Sequence, residues 1–175
     1  TQHAPWSGLW LPLVTPFSDG ALDAASLRRL VAHYAALPID GLVLAATTGE
    51  GLTLDDEEIA TLVAIAAEAQ GRQGAALPIL LGLSGSDTRR MVRRLQATAG
   101  WPIAGYLVTC PYYTRPSQDG MVRHFQILAE AASLPILAYN IPYRTGVNLQ
   151  NEAMLRLGRR GALRGVEDFC AAPPP

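Results

Sequence analysis

Gly41-Leu42-Val43-Leu44-Ala45-Ala46-Thr47-Thr48-Gly49-Glu50 is an apolar run that ends in a polar cluster. The same change recurs along the chain and decides the fold. Gly41–Ala46 has the length and composition of a strand covered on both faces. After it, Thr53 reads as a helix cap with Asp56 three residues on. Ile59, Leu62, Val63 and Ala66 then repeat on one helical face. Upstream, Leu9–Thr15 reads as a strand and Ala24–Leu37 as a helix, with Leu27, Leu30, Val31 and Tyr34 on one face. Downstream come strand Pro78–Leu83, helix Ser86–Ala99 on Met91, Val92 and Leu95, and strand Ala104–Thr109. Helix Gln118–Ala132, strand Pro135–Tyr139, helix Asn151–Arg160 stopped by Gly161, and strand Ala162–Val166 complete the series.

Strand starts recur about every thirty residues, the size of one βαβ unit, and such crossovers force parallel strands. Doubly wound sheets and TIM barrels both fit this order. The polar residues separate them. Thr47-Thr48-Gly49-Glu50 follow the second strand, Cys110-Pro111-Tyr112-Tyr113 the fourth, Asn140-Ile141-Pro142 the fifth and Glu167-Asp168 the sixth. Functional residues arriving from several strand ends belong to a barrel. A doubly wound nucleotide binder concentrates them at one glycine-rich first turn, and the first turn here is Thr15-Pro16-Phe17. The expected fold class is therefore α/β, a TIM (β/α)8-type barrel. It is incomplete, with about five and a half βα units where a closed barrel has eight. Residues 1–170 are expected to form a single partial barrel domain, with 171–175 as an Ala/Pro tail.

The 175 residues, with a formal charge of -1 and 49% hydrophobic composition, suffice for one sizeable core. Near-neutral charge argues against nucleic acid or an anionic membrane surface as the main partner. No apolar run reaches the ~18 residues of a membrane span. The N-terminal run carries no basic residue before Arg28 and is broken by Pro12, unlike a secretory signal or transit peptide. Cys110 and Cys170 have neither metal-ligand spacing nor a disulfide framework. His33 and His124 lie on expected helices with no ligating neighbour in view, so a structural role is expected for both. These features point to a cytoplasmic protein without metal or cofactor. All fourteen basic residues are arginine.

Four segments together resemble the dihydrodipicolinate synthase and N-acetylneuraminate lyase superfamily, most closely dihydrodipicolinate synthase. They are Leu13-Val14-Thr15-Pro16-Phe17, Thr47-Thr48-Gly49-Glu50, Val108-Thr109-Cys110-Pro111-Tyr112-Tyr113-Thr114-Arg115-Pro116-Ser117 and Tyr139-Asn140-Ile141-Pro142-Tyr143-Arg144-Thr145-Gly146. The resemblance runs from about Gly8 to Asp168 and implies class I aldolase chemistry. In that chemistry a lysine forms an imine with pyruvate, which as an enamine attacks an aldehyde. By the same resemblance Thr48 and Gly49 hold the pyruvate carboxylate, Thr47 relays protons, and Tyr139 is the general acid/base beside the imine. Tyr113 completes that relay by reaching a neighbouring subunit's site, and Arg144 binds the carboxylate of the aldehyde partner, which its planar fork suits. The Tyr-Tyr pair and the Arg-Thr-Gly segment favour condensation of pyruvate with aspartate semialdehyde in lysine biosynthesis. The sugar-acid lyases and 2-keto-3-deoxy sugar acid aldolases are the alternative. A homo-oligomer, dimer or tetramer, is the family habit. Each assignment also has a plainer reading: the threonines as a helix cap, the tyrosines as packing, Arg144 as a surface ion-pair residue.

One position departs from the pattern. The family's lysine lies in a segment of the form Gly-Ile-Lys-Glu/Asp, and here that stretch is Gly165-Val166-Glu167-Asp168. Glu167 stands where the imine-forming amine belongs. A carboxylate forms no imine, and arginine stays protonated. Thr1 carries the other primary amine, but it precedes the first strand. A carboxylate also repels the substrate's own carboxylate, by about 1 kcal/mol at ~4 Å in water and several times that in a partly buried site. A catalytically silent, truncated homologue therefore stands beside the lyase reading.

Overall fold

The computed structural model describes residues 6–69, 74 and 76–169. Thr1, Cys170 and the 171–175 tail lie outside the described residues. The chain divides into two compact units, Thr1–Leu81 and Gly82–Pro175.

The first unit contains β1 (Trp10–Pro12), a short antiparallel hairpin of β2 (Phe17–Ser18) and β3 (Ala21–Leu22), α1 (Ala24–Ala35), β4 (Gly41–Leu44), α2 (Asp56–Ala67) and the start of β5 (Ile79–Leu83). β1 pairs with β4 in parallel, Trp10 opposite Gly41, and β4 with β5, Leu42 opposite Ile79. Leu42, Val43 and Leu44 are all buried, as a strand covered on both faces requires. Leu27, Val31 and Ala35 of α1 are buried, as are Ile59, Leu62, Val63 and Ala66 of α2, and the two helices touch. Full burial of each large aliphatic side chain contributes roughly 1.5–3 kcal/mol. The start of α2 corrects the sequence expectation. Asp55, not Thr53, is the cap: its carboxylate accepts the Glu58 N–H at 2.8 Å, and Glu58 accepts the Asp55 N–H at 3.0 Å. The Thr53 hydroxyl instead donates back to the Glu50 carbonyl at 2.9 Å. A carboxylate at the cap satisfies a helix N–H and also opposes the helix dipole, so the competition favours Asp55.

The second unit runs through α3 (Thr88–Ala97), β6 (Gly105–Thr109), α4 (Gln118–Ala131), β7 (Ile136–Asn140), a single turn α5 (Pro142–Thr145), α6 (Asn151–Arg159) and β8 (Gly165–Asp168). α3 packs on α4, and α4 on α6. β6 pairs in parallel with β7, and β7 with β8. Side chains alternate across a strand, and Tyr106 shows which face meets the helices. It is fully buried, with its hydroxyl 3.3 Å from the Leu95 carbonyl and 3.0 Å from the Thr98 hydroxyl, and burial raises its pKa. Tyr106, Val108 and Cys110 therefore face helix α3, while Leu107 and Thr109 face the other way. His124 of α4 lies in the helix layer, buried, with Nδ1 2.8 Å from the Thr88 hydroxyl. Burial lowers its pKa to about 4, so the ring is neutral near pH 7. β8 begins three residues later than Ala162. The Ala162 N–H still closes the end of α6 on Leu157, and only Arg164 first bonds the strand at Ile136.

Candidate active site

The loop after β4 is built from backbone that few side chains tolerate. Ala45 has φ 52° and Glu50 φ 55°, both in the left-handed region, although neither is glycine. Two such residues in six hold strain of order 1–3 kcal/mol each, which persists where the surroundings over-determine it. The surroundings here are explicit. The Thr15 hydroxyl, buried at the end of the β1 segment, donates to the Gly49 carbonyl at 2.7 Å. Glu50 N–H bonds Thr47 O at 3.2 Å and Gly51 N–H bonds Ala46 O at 3.1 Å. A Cβ at Gly49 would lie 2.8 Å from the Leu13 carbonyl oxygen, and at Gly51 only 1.7 Å from that of Ala45. Thr47 and Thr48 are exposed on this turn. Among the described residues, the N–H groups of Thr48 and Gly49 have no hydrogen-bond partner. A turn with successive N–H groups left over is a ready acceptor site for a small anion.

In the second unit the register sets a row of three side chains. Thr109 lies opposite Tyr139, and Tyr139 opposite Glu167. Register partners on parallel strands share a face, and for these three it is the face turned away from the helices. Tyr139 is 7% exposed, its ring edge-on to Phe169 with centroids 6.1 Å apart. Glu167 is half-buried, and burial raises its pKa, because the charged form loses water. The Thr109 hydroxyl is buried with no hydrogen-bond partner. On the helix face the next residues along form a second row. Asn140, fully buried, reaches Asn148 Oδ1 at 2.8 Å, Asp168 Oδ1 at 3.0 Å and the Leu149 carbonyl at 3.3 Å, while its own Oδ1 accepts the Leu149 N–H at 2.9 Å. Asn140 thereby ties the ends of β7 and β8 to the loop before α6, and so fixes where Tyr139 and Glu167 stand.

A model of the Dihydrodipicolinate synthetase family matches residues 5–170. The chain belongs to this family. It is 40% identical over 163 residues to 4-hydroxy-tetrahydrodipicolinate synthase 2 of Clostridium acetobutylicum, covering 93% of this chain and 56% of the relative. It is 39% identical over 171 residues to 4-hydroxy-tetrahydrodipicolinate synthase 1 of Streptomyces coelicolor, covering 97% and 55%. Among solved structures, the 4-hydroxy-tetrahydrodipicolinate synthase of Methylacidiphilum fumariolicum superposes with a TM-score of 0.86 at 34% identity, over 94% of this chain and 54% of that one. Dihydrodipicolinate synthase of Thermotoga maritima gives 0.88 at 30% identity, over 97% and 56%. The chain thus spans about half the length of the relatives it matches, aligned to their N-terminal part. The fold class is that of an incomplete TIM-type barrel, as the order of strands and polar clusters implied.

The remaining residues singled out in the sequence fall outside the two rows. Arg144 sits exposed on α5 with its guanidinium 5.2 Å from the Tyr143 ring centroid, and no carboxylate pairs with it among the described residues. α5 is held by Thr145, whose buried hydroxyl lies 3.1 Å from the Ile141 carbonyl and 2.9 Å from that of Val147. Gly146, with φ 73°, then caps the turn with Arg115 packed against it. Tyr113 is 92% exposed at φ 69°, projecting into solvent, with the preceding carbonyl of Tyr112 fixed by the Ser86 hydroxyl at 2.5 Å. Thr15, Asn140 and Thr109 were quoted in the sequence motifs without a role. Their positions directly after or at the ends of strands were the available signal. Among the described residues no helix is long and apolar enough to cross a membrane.

Proposed function

We propose that this chain carries the substrate-holding part of a dihydrodipicolinate synthase-type site whose imine-forming amine is replaced by Glu167, so that alone it binds without turning over. The substrate pair is pyruvate and aspartate semialdehyde. Thr48 and Gly49 take the pyruvate carboxylate; their unpaired N–H groups support this. Thr47 relays protons and Tyr139 is the acid/base group, with a phenol whose ordinary pKa of ~10 needs further hydroxyls to shuttle protons at neutral pH. Arg144, exposed and without a carboxylate partner, takes the carboxylate of the aldehyde. Tyr113, standing out in solvent, serves a neighbouring copy's site, which makes a cytoplasmic homo-oligomer the working assembly. One similar solved structure is described as a monomeric dihydrodipicolinate synthase variant.

The observation that carries the reading is Glu167 in register beside Tyr139 on β8, in the stretch Gly165-Val166-Glu167-Asp168 that resembles the family's lysine segment. On this reading β8 carries a carboxylate where the nucleophile would stand. Incubation of purified chain of confirmed mass with both substrates is expected to yield no condensation product above buffer. Product formed by the homogeneous chain would overturn the assignment of Glu167. A 2-keto-3-deoxygluconate aldolase variant of Sulfolobus solfataricus, solved with pyruvate, also superposes at TM-score 0.79 and 25% identity. The aldolase alternative for the second substrate is therefore separated by presenting both aldehyde classes to a Glu167→Lys variant.

A further inference from the structure

The row Thr109–Tyr139–Glu167 has a chemistry of its own. All three groups accept hydrogen bonds, and one is a carboxylate. Among the described residues Glu167 pairs with no arginine, and burial is the cause acting on its carboxyl. Two strands away, the Thr109 hydroxyl is buried, more than nine-tenths covered, and unpartnered on the same face. A buried hydroxyl with no partner costs about 1–3 kcal/mol, and that cost disappears when a polar ligand arrives. Neighbouring strands lie about 4.8 Å apart, so Tyr139 and Glu167 can share one ammonium group, whose three donors suit a phenol oxygen and a carboxylate. Thr109, about two strand spacings from Glu167, then meets a polar atom further along the ligand.

The geometry points to a small α-amino acid as the ligand of this row, its ammonium group held between Glu167 and Tyr139. Such a ligand is the amine counterpart of the 2-oxo acid proposed above: where the family's enzyme brings the nitrogen, here the ligand brings it. The inference rests on that reading for the identity of the pocket, and it reverses the expected preference between ammonium and keto ligands. It also removes the conflict between two carboxylates, since the group placed against Glu167 is now positive.

The test titrates the 175-residue chain by NMR with L-alanine, with propionate (the same carboxylate without the amine), and with pyruvate. L-alanine is expected to bind at least tenfold more tightly than either of the others. Glu167→Gln is expected to lose at least tenfold of the alanine affinity, and Thr109→Val severalfold. Equal binding of alanine and propionate, binding of neither, or full alanine affinity in Glu167→Gln overturns the inference. Where circular dichroism shows the Gln variant unfolded, the comparison of the three ligands on the unaltered chain decides alone. Imine trapping on Glu167→Lys is read separately. A trapped imine there, with no alanine binding to the unaltered chain, sinks this inference and leaves the proposed function standing. Failure of the trap sinks that function instead.

Discussion

Replacing His124 with leucine should flatten the acid limb of this protein's stability. His124 is 4% exposed on α4, with Nδ1 against Thr88 and Nε2 buried without a partner. Charging the ring would require a second buried donor to go unsatisfied, and burial holds its pKa at about 4 against an ordinary 6.5. The unfolded chain takes up this proton first, so between pH 6.5 and about 4 unfolding binds a proton and stability falls as pH falls. Above pH 6.5 the full contribution is present. Below about 4 it is gone. Each tenfold in proton affinity is worth about 1.4 kcal/mol, so the whole window is worth about 3 kcal/mol. Urea unfolding followed by circular dichroism at pH 7.5, 6, 5 and 4.5 measures it. The unaltered chain should lose stability through this range at a slope approaching about 1.4 kcal/mol per pH unit near pH 5. His124→Leu should show a slope shallower by that amount, whatever its absolute stability. Parallel pH profiles for the two proteins would refute the claim that the histidine is buried neutral.

Three further outcomes follow from the site. Asn140→Ala leaves the Leu149 N–H without its acceptor and removes the side-chain bond to Asp168 of β8, and should cost roughly 2–3 kcal/mol in urea unfolding at pH 7.5; a loss within error would deny Asn140 its organising role. Gly51→Ala drives a methyl group to 1.7 Å from the Ala45 carbonyl oxygen, so the loop must move, at a cost of about 3 kcal/mol by the same assay. Unchanged stability would mean that the turn is not fixed as described. Glu167→Gln should raise stability at neutral pH, because the acid's pKa is raised by burial and the folded chain therefore pays for the charge. That gain should fade as pH falls through the raised folded value toward the ordinary 4.5, below which both states hold the proton; a destabilised Gln variant at pH 7.5 would contradict it.

Alternating apolar runs and helical faces were enough to read the parallel βα order, because each period answers directly to burial. Leu42, Val43 and Leu44 are buried as their run implied, and Ile59, Leu62 and Val63 share a buried face. Caps and ends were less legible. Thr53 and Asp55 both carry side-chain acceptors, and only the reciprocal bonds with Glu58 choose between them. The hairpin of β2 and β3 and the single turn α5 are too short for any period to show. Within the candidate site, the positions of Tyr139 and Glu167 at strand ends could be read from motif spacing. That they are register neighbours could not, since register depends on pairing between distant segments. Asn140's network joins residues 8 to 28 positions away and leaves no local trace in the sequence. The Thr109 hydroxyl is legible as unpartnered only once the strands on either side are placed.

The most direct measurement is intact mass after pyruvate and borohydride, taken on the unaltered chain and on Glu167→Lys. Borohydride reduces any imine and fixes the pyruvyl group to the amine that formed it. The unaltered chain is expected to gain nothing, and the lysine variant to gain one reduced pyruvyl group at residue 167. A pyruvyl group on the unaltered chain, or none on a folded lysine variant, would contradict the claim that Glu167 stands in the place of the family's imine-forming amine.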